Sequence, residues 1–466
     1  MIFPTVEFAG FFALVLPTSW LLMPFRRAWK LFIIAASYFF YGSADWHFVF
    51  LLGGCTLWNQ LFAKLMGLPI LERYKSWLVG IAVAGDLSIL GWFKYYGFFV
   101  ANVVAFTSRV GLPVPLPLVQ VALPIGISFF TFQAMSYVID VKRNRTAAVS
   151  TLDFAVYLSF FPHLIAGPIV RVSELVPQFA SARDPRKIEF ARAIGLITSG
   201  LIKKILIADF VSTQLVDPVF ASPGFHSRWD VIFAIYGYAV QIYCDFSAYS
   251  DMAIGLALLL GFQFPINFNK PYASLSITDF WHRWHMTLSR WLRDYLYIPL
   301  GGNRKGRQKT YRNLMLTMLL GGLWHGAAWT FVLWGGIHGS ALAVEKWWDE
   351  QGRTISLPAV ARWLITFHVV CLAWIFFRAD SLTNAGAIFG QLFTGTGATT
   401  VSIGTLLAIL VGMAIHFVPR EPSLIVRRAY ARLSPVGQGL AFAAVVIVCG
   451  AVITGQGVAP FIYYRF

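Results

Sequence analysis

Apolar runs long enough, or nearly so, to cross a bilayer begin at Val6, Leu31, Phe48 and Trp77. Others begin near Leu123, Leu152, Ile188 and Val231, and again near Val360, Ile403 and Ala441. At ~20 apolar residues per crossing they predict roughly 11 or 12 helical spans, the shorter pieces being re-entrant. One stretch follows a different period. At ~100° per residue, Trp281, Trp284, Leu288, Trp291, Leu292 and Tyr295 form a single apolar stripe, which predicts an amphipathic helix. His285 falls inside the stripe and His282 at its edge, while Arg283, Arg290 and Asp294 take the opposite face, the last two at i,i+4 spacing.

From Leu314 to Ile337 the chain is apolar all round and carries no formal charge. This predicts a span with His325 near its middle. An ionisable side chain at membrane depth is costly, which makes it a functional hypothesis by default; the alternative is a histidine bridging two packed helices. Gly322 and Gly326, four residues apart, leave room for close approach by another helix or by a substrate chain. Two further segments are too polar or too broken for plain lipid exposure. FPHLIAGPIVR (Phe161–Arg171) is interrupted by Pro162, Gly167 and Pro168, a backbone tolerated only inside protein or beside a water-filled cavity. QIYCDFSAYSD (Gln241–Asp251) sets Asp245 and Asp251 in an apolar run, either to bond between helices or to line a polar tunnel.

Composition agrees with the pattern. The 466 residues are 58% hydrophobic and 12% charged, with a mean hydropathy of +0.65, more apolar surface than a soluble domain can cover. The class is an all-α polytopic membrane protein, read as one membrane domain over 1–466 with 461–466 a tail. The net charge of +16 marks cytoplasmic loops and not a nucleic-acid partner. Basic clusters lie at Arg26, Arg27 and Lys30, at Lys64, Arg73 and Lys75, at Lys142, Arg143 and Arg145, and at Arg420, Arg427, Arg428 and Arg432. The loop at Ser43–Trp46 has none. That alternation places both termini on the non-cytoplasmic side and the number of spans even. The N-terminus carries Glu7 and no basic n-region, so it reads as a retained first span. Cys55, Cys244, Cys371 and Cys449 are scattered singly and read as small buried side chains.

The histidines are the candidate chemistry. Four of the nine lie between residues 282 and 338: His282, His285, His325 and His338. A metal site on His282 and His285 at i,i+3 lacks an HExxH or Cys/His companion, and no metal is expected. No GxSxG elbow, Walker sequence or GxGxxG is present. Acyl transfer fits better: a buried neutral histidine can act as general base on a hydroxyl, and a second polar donor can stabilise the oxyanion as a thioester is attacked. The basic loop GGNRKGRQK offers Arg304, Lys305, Arg307 and Lys309 to the phosphates of coenzyme A or to an acidic carrier protein, or serves as an ordinary cytoplasmic anchor. Transport without bond chemistry is the competing class, although the pseudo-symmetric halves common in transporters are not evident. A scaffold for a polysaccharide synthase is a third.

Several words of the chain resemble the membrane-bound O-acyltransferase superfamily, in particular its bacterial branch of alginate O-acetyltransferase membrane subunits. They are LPIGISFFTFQAMSYVIDVKR (Leu123–Arg143), FFPHLIAGPIVR (Phe160–Arg171), YCDFSAYSDMAIG (Tyr243–Gly255), NFNKPYASLSITDFWHRWHMTLSRWLRDYLYIPLGGNRKG (Asn267–Gly306), LLGGLWHGAAWTFVLWGGIHG (Leu319–Gly339) and WIFFRADSL (Trp374–Leu382). The resemblance implies a ring of helices around a tunnel open to both membrane surfaces, with His325 the catalytic histidine and His285 the second active-site position. It implies acetyl-CoA or a carrier thioester as donor and no permanently bound cofactor. It also implies residence in a bacterial inner membrane, a periplasmic SGNH-hydrolase-type partner and an exopolysaccharide as final acceptor. The closing FIYYRF (Phe461–Phe466) is similar to a tail of that branch in which Tyr463 accepts the acyl group. Tyr464 and Arg465 depart from the usual pattern, which leaves open which tyrosine serves. An aromatic interfacial anchor is the other reading of the tail.

Overall fold

In the computed structural model, every regular element among the described residues is helical. The structure describes residues 1, 3–112, 114–117, 119, 121–181, 183–352, 357–418, 428–456, 461 and 462. By length and composition, four helices among these are apolar enough to cross a membrane: His47–Met66, Pro69–Arg109, Arg228–Leu259 and Ala359–Arg378. They coincide with the runs anticipated at Phe48, Trp77, Val231 and Val360. The other runs fold as shorter or interrupted helices, except the run near Ala441, which lies in a 22-residue helix over Pro435–Gln456. Such interruptions are stable in lipid only where protein satisfies the freed backbone groups.

The chain divides into two compact units, Met1–Ile188 with Leu256–Pro265, and Glu189–Gly255 with Ile266–Phe466. The first holds α1 (Val6–Leu22), α2 (Arg26–Gly42), α3 (His47–Met66), α4 (Lys75–Leu90), α5 (Tyr96–Arg109), α6 (Ile127–Lys142), α7 (Thr151–Ser159), α8 (Phe161–Leu164) and α9 (Val172–Ala180). Its core lies along α6, where Phe130, Tyr137 and Val138 are fully buried or nearly so, and along the Phe160–Pro168 segment. That broken segment sits inside protein, the first of the two placements its prolines and glycine allowed. The His163 Nε2–H donates to the Tyr157 carbonyl, and the Tyr157 hydroxyl donates to the Val170 carbonyl.

The second unit carries the candidate chemistry. It contains α10 (Phe190–Leu201), a π-helical stretch over Ile202–Asp209, α11 (Asp217–Ala221) and α12 (Arg228–Leu259) up to Gly255. Then follow α13 (Ile277–Arg283), α14 (Met286–Leu292), a π turn over Arg293–Tyr297, α15 (Arg307–His325), α16 (Trp329–Glu350), α17 (Ala359–Arg378), α18 (Leu382–Thr394), α19 (Ile403–Ala414) and α20 (Pro435–Gln456). Two expectations are corrected. The amphipathic helix is not continuous: it breaks at Trp284–His285, although all six stripe residues are at most 8% exposed. The stretch Leu314–Ile337 is not one span but the facing halves of α15 and α16, and His325 stands at a helix terminus, not at mid-helix. Gly326–Ala328 reverse the chain without any polar residue, and hydropathy alone does not register such a reversal.

Glycine sets the spacing of this antiparallel pair. A Cβ on Gly322 would lie 2.2 Å from the Phe331 carbonyl oxygen, and one on Gly335 2.3 Å from that of Met318. Gly326 lies against the Phe331 ring. The close approach anticipated for Gly322 and Gly326 is therefore that of another helix. Next to Gly335, a Cβ on Gly336 would meet nothing nearer than Leu319 at 3.8 Å. Gly335→Ala is expected to destabilise the protein by about 1–3 kcal/mol through overpacking against backbone that cannot retreat. Gly336→Ala should be neutral or slightly stabilising. Thermal unfolding of the two variants in detergent checks this, and equal midpoints would refute the packing argument.

Candidate active site

The break before α14 is built around one carboxamide. His285 adopts a left-handed conformation (φ 40°, ψ 54°), which costs a non-glycine residue roughly 1–2 kcal/mol and needs local compensation. Asn267 supplies it. Its backbone carbonyl accepts from Met286 N–H at 2.9 Å. Its side-chain Oδ1 accepts from Thr287 N–H at 3.2 Å and from the Thr287 hydroxyl at 2.9 Å. Its Nδ2 donates to Ser250 Oγ at 3.1 Å. Because a backbone N–H can only donate, the atom facing Thr287 is the amide oxygen. The His285 Nδ1, 3.1 Å from that oxygen, is then the protonated nitrogen, and Nε2 carries the lone pair. The ring is 0% exposed, and burial pushes its pKa below the ordinary value, toward the neutral imidazole. Phe246 meets it edge-on at 4.6 Å.

His325 closes α15 and is 3% exposed. Its ring packs edge-on against Trp324 at 5.0 Å, Trp334 at 4.9 Å and Phe377 at 5.1 Å. Trp324 also meets His285, at 6.2 Å, so the two histidines singled out in the sequence share one indole. Trp334 likewise joins His325 to His338, whose ring lies 4.9 Å from it and stacks on Phe280 at 5.9 Å. His338 is 0% exposed, and among the described residues neither of its ring nitrogens has a hydrogen-bond partner. Three imidazoles thus stand in one aromatic enclosure. The expected passage is not open at His325 in this structure.

A cavity of about 340 Å³ lies on the other side of Trp281, bounded among others by His282, Arg290, Arg293, Tyr297 and Met318. The Trp281 ring forms part of its wall and contacts Trp334 at 5.7 Å and His338 at 5.2 Å. Trp281 and Trp334 therefore link the wall of the arginine-lined space to the His325 ring. Arg304, Lys305, Arg307 and Lys309 are all exposed, in and just after the loop leading into α15. Of these, Arg307 lies 3.4 Å from the Glu350 carboxylate. His282 is exposed while His285 is buried, so the pair does not converge, and no cluster of three metal-ligating side chains occurs among the described residues.

The two aspartates in α12 bond between helices. Asp251 receives Lys203 at 2.6 Å, and Asp245 receives Lys204 at 2.8 Å. Asp245 also accepts the backbone N–H of Ile462 at 2.8 Å. Phe461 is 0% exposed and meets Phe246 at 5.7 Å and Tyr249 at 4.3 Å. Tyr463 and Tyr464 lie outside the described residues. Sequence reasoning passed over Lys204, and it named His338 among the four clustered histidines without giving it or Asn267 a role. The charge-bearing Lys203–Lys204 in an apolar run was the readable signal for the second lysine.

Residues 81–382 match the model of the membrane-bound O-acyltransferase family. The chain is 45% identical over 374 residues (79% of this chain, 76% of the relative) to a probable alginate O-acetylase, AlgI, of Pseudomonas putida. It is 39% identical over 419 residues (82% and 76%) to a peptidoglycan O-acetyltransferase of Helicobacter pylori. It is 30% identical over 275 residues (54% and 68%) to a teichoic acid D-alanyltransferase of Bacillus subtilis. The chain belongs to the membrane-bound O-acyltransferase family, and it is a membrane-embedded acyltransferase.

If Asn267 sets the His285 tautomer, Asn267→Leu should lower acyl transfer by about 10–100-fold, the usual cost of losing an orienting partner. Asn267→Asp, which keeps the acceptor oxygen, should retain most of the rate. Steady-state rates of the purified variants decide it, and a fully active Asn267→Leu enzyme would remove the assignment.

Proposed function

We propose that the protein moves an acetyl group from a thioester donor, acetyl-CoA, toward O-acetylation of an exopolysaccharide such as alginate, working with a periplasmic SGNH-hydrolase-type partner from a bacterial inner membrane. The observation that carries this reading is the shared enclosure of His285 and His325 around Trp324, linked through Trp281 and Trp334 to the wall of an arginine-lined cavity. The names of the relatives support the acetyl group and the polymer.

In the proposed step, a ring nitrogen of His325 takes the proton of an acceptor hydroxyl as its oxygen attacks the thioester carbonyl carbon. The tetrahedral intermediate collapses, the C–S bond breaks, and the departing sulfur takes the proton back from His325 to leave as free thiol. His285, with Nε2 as its lone-pair nitrogen, accepts a hydrogen bond from a donor group of the substrate and holds it in place. Arg290 and Arg293 attract the anionic part of the donor, with Arg304, Lys305, Arg307 and Lys309 on the exposed approach. The donor, entering from the arginine-lined cavity, needs the Trp281 and Trp334 rings to swing aside, which keeps the thioester away from water at rest. Tyr463 is the proposed first acceptor, and it relays the acetyl group to the partner. In its support, Phe461 packs on the same Phe246 ring that meets His285.

Replacing His325 by Ala should lower thiol release from acetyl-CoA by about 10²–10⁴-fold while insertion in the membrane is unchanged. Wild-type rates in that variant would end the base assignment. Tyr463→Phe should abolish polymer acetylation in cells. Normal acetylation there would eliminate the relay and leave the enzyme reading intact.

A further inference from the structure

The Asp245 carboxylate makes two different bonds deep in the second unit. Its Oδ1 meets the Lys204 ammonium at 2.8 Å, and its Oδ2 accepts the Ile462 N–H at 2.8 Å. Lys204 is held on its other side by Asp209 at 2.8 Å. The lysine side chain is 1% exposed and that of Asp245 4%, so neither charge is relieved by solvent. One ammonium shared by two carboxylates leaves a negative charge in excess, and a buried charge of this kind needs further donors. The N–H of Ile462 is one. From the tail's side the requirement is reciprocal: the N–H of Ile462, a residue 3% exposed, needs an acceptor of its own.

We infer that Asp245 is the anchor of the C-terminal segment, with Lys204 as the counter-ion that aims its carboxylate, so that residues 461–462 are fixed beside Phe246 and Tyr249. Phe461 fills the aromatic half of this seat and the Asp245–Ile462 bond closes it. Phe246 touches both Phe461 and His285, so the anchor sets the distance between the tail and the histidine enclosure. Asp245 is a positioning residue. The anchor stands independently of the reaction. What the anchor does for acyl transfer rests on the proposed relay through Tyr463.

The test places a cysteine at the seat, Ile462→Cys, which keeps the N–H, and follows its modification by a small maleimide with site-resolved mass spectrometry of the whole detergent-solubilised protein. The buried Cys55, Cys244 and Cys371 report any general unfolding. With Asp245 present the thiol should react slowly. Adding Asp245→Ala should speed labelling by about 10–100-fold, the loss of one charge-assisted hydrogen bond, while the three internal cysteines stay unreactive. Asp209→Ala, which removes the other carboxylate from Lys204 but no bond to the tail, should leave the thiol protected. Equal protection with and without Asp245, or equal exposure by Asp209→Ala, would overturn the anchor. Should Asp245→Ala unfold the protein, the donor is removed in place of the acceptor: Ile462→Pro is combined with Phe461→Cys as reporter, and a thiol as protected as in Phe461→Cys alone overturns the proposal. Exposure of the tail by Asp245→Ala with acyl transfer unchanged would confirm the anchor and refute the relay.

Discussion

The second unit turns on the Asn267 carboxamide. A chain that reverses twice in an apolar interior exposes N–H and C=O groups that no water can satisfy. At the first reversal, Asn267 Oδ1 takes donors from Thr287 and His285 together, and its own carbonyl takes Met286 N–H. The same atoms therefore stabilise an unfavourable backbone conformation and dictate which nitrogen of His285 carries the proton. Fold and chemistry are here one set of bonds. At the second reversal, Gly326–Ala328 carry no polar side chain, and glycines let the backbones of α15 and α16 rest on each other, while Tyr311 and Arg307 meet Glu350 at the far end of the pair.

How much of this was readable depends on the range of each interaction. The stripe Trp281, Trp284, Leu288, Trp291, Leu292 and Tyr295 was legible because burial follows local period, and all six side chains are buried. The break within it was not. It has no proline or glycine, and the residue that turns left-handed is the histidine itself, held by an asparagine 18 positions earlier. Hydropathy likewise merged α15 and α16 because Gly326–Ala328 are as apolar as the helices they separate. The pairing of Asp245 with Lys204 spans 41 positions, a separation over which sequence pattern carries no register. Gly322 and Gly326 were informative for the opposite reason: a small-residue spacing states directly that something comes close.

The relatives carry names that speak of alginate, peptidoglycan and teichoic acid, three different polymers. The matched residues, 81–382, include Asn267, His285, His325 and His338 but not the tail. Machinery that different polymers can share is then expected in the enclosed histidines, and polymer-specific contacts outside them. The imidazole enclosure, lined by Trp281, Trp324 and Trp334, lies wholly within the matched residues.

The π-helical stretch Ile202–Asp209 gives the ion pairs a different significance. In an ordinary α-helix, side chains of adjacent residues diverge by ~100° and face different neighbours. Here Lys203 and Lys204, adjacent in sequence, reach Asp251 and Asp245 on the same partner helix. The i→i+5 winding carries a surplus residue in the turn. A chain one residue shorter would lose that surplus and wind as an ordinary α-helix, in which adjacent side chains diverge by ~100° and Lys203 and Lys204 would no longer face one partner helix together. This segment is thereby locked in length as firmly as it is in composition.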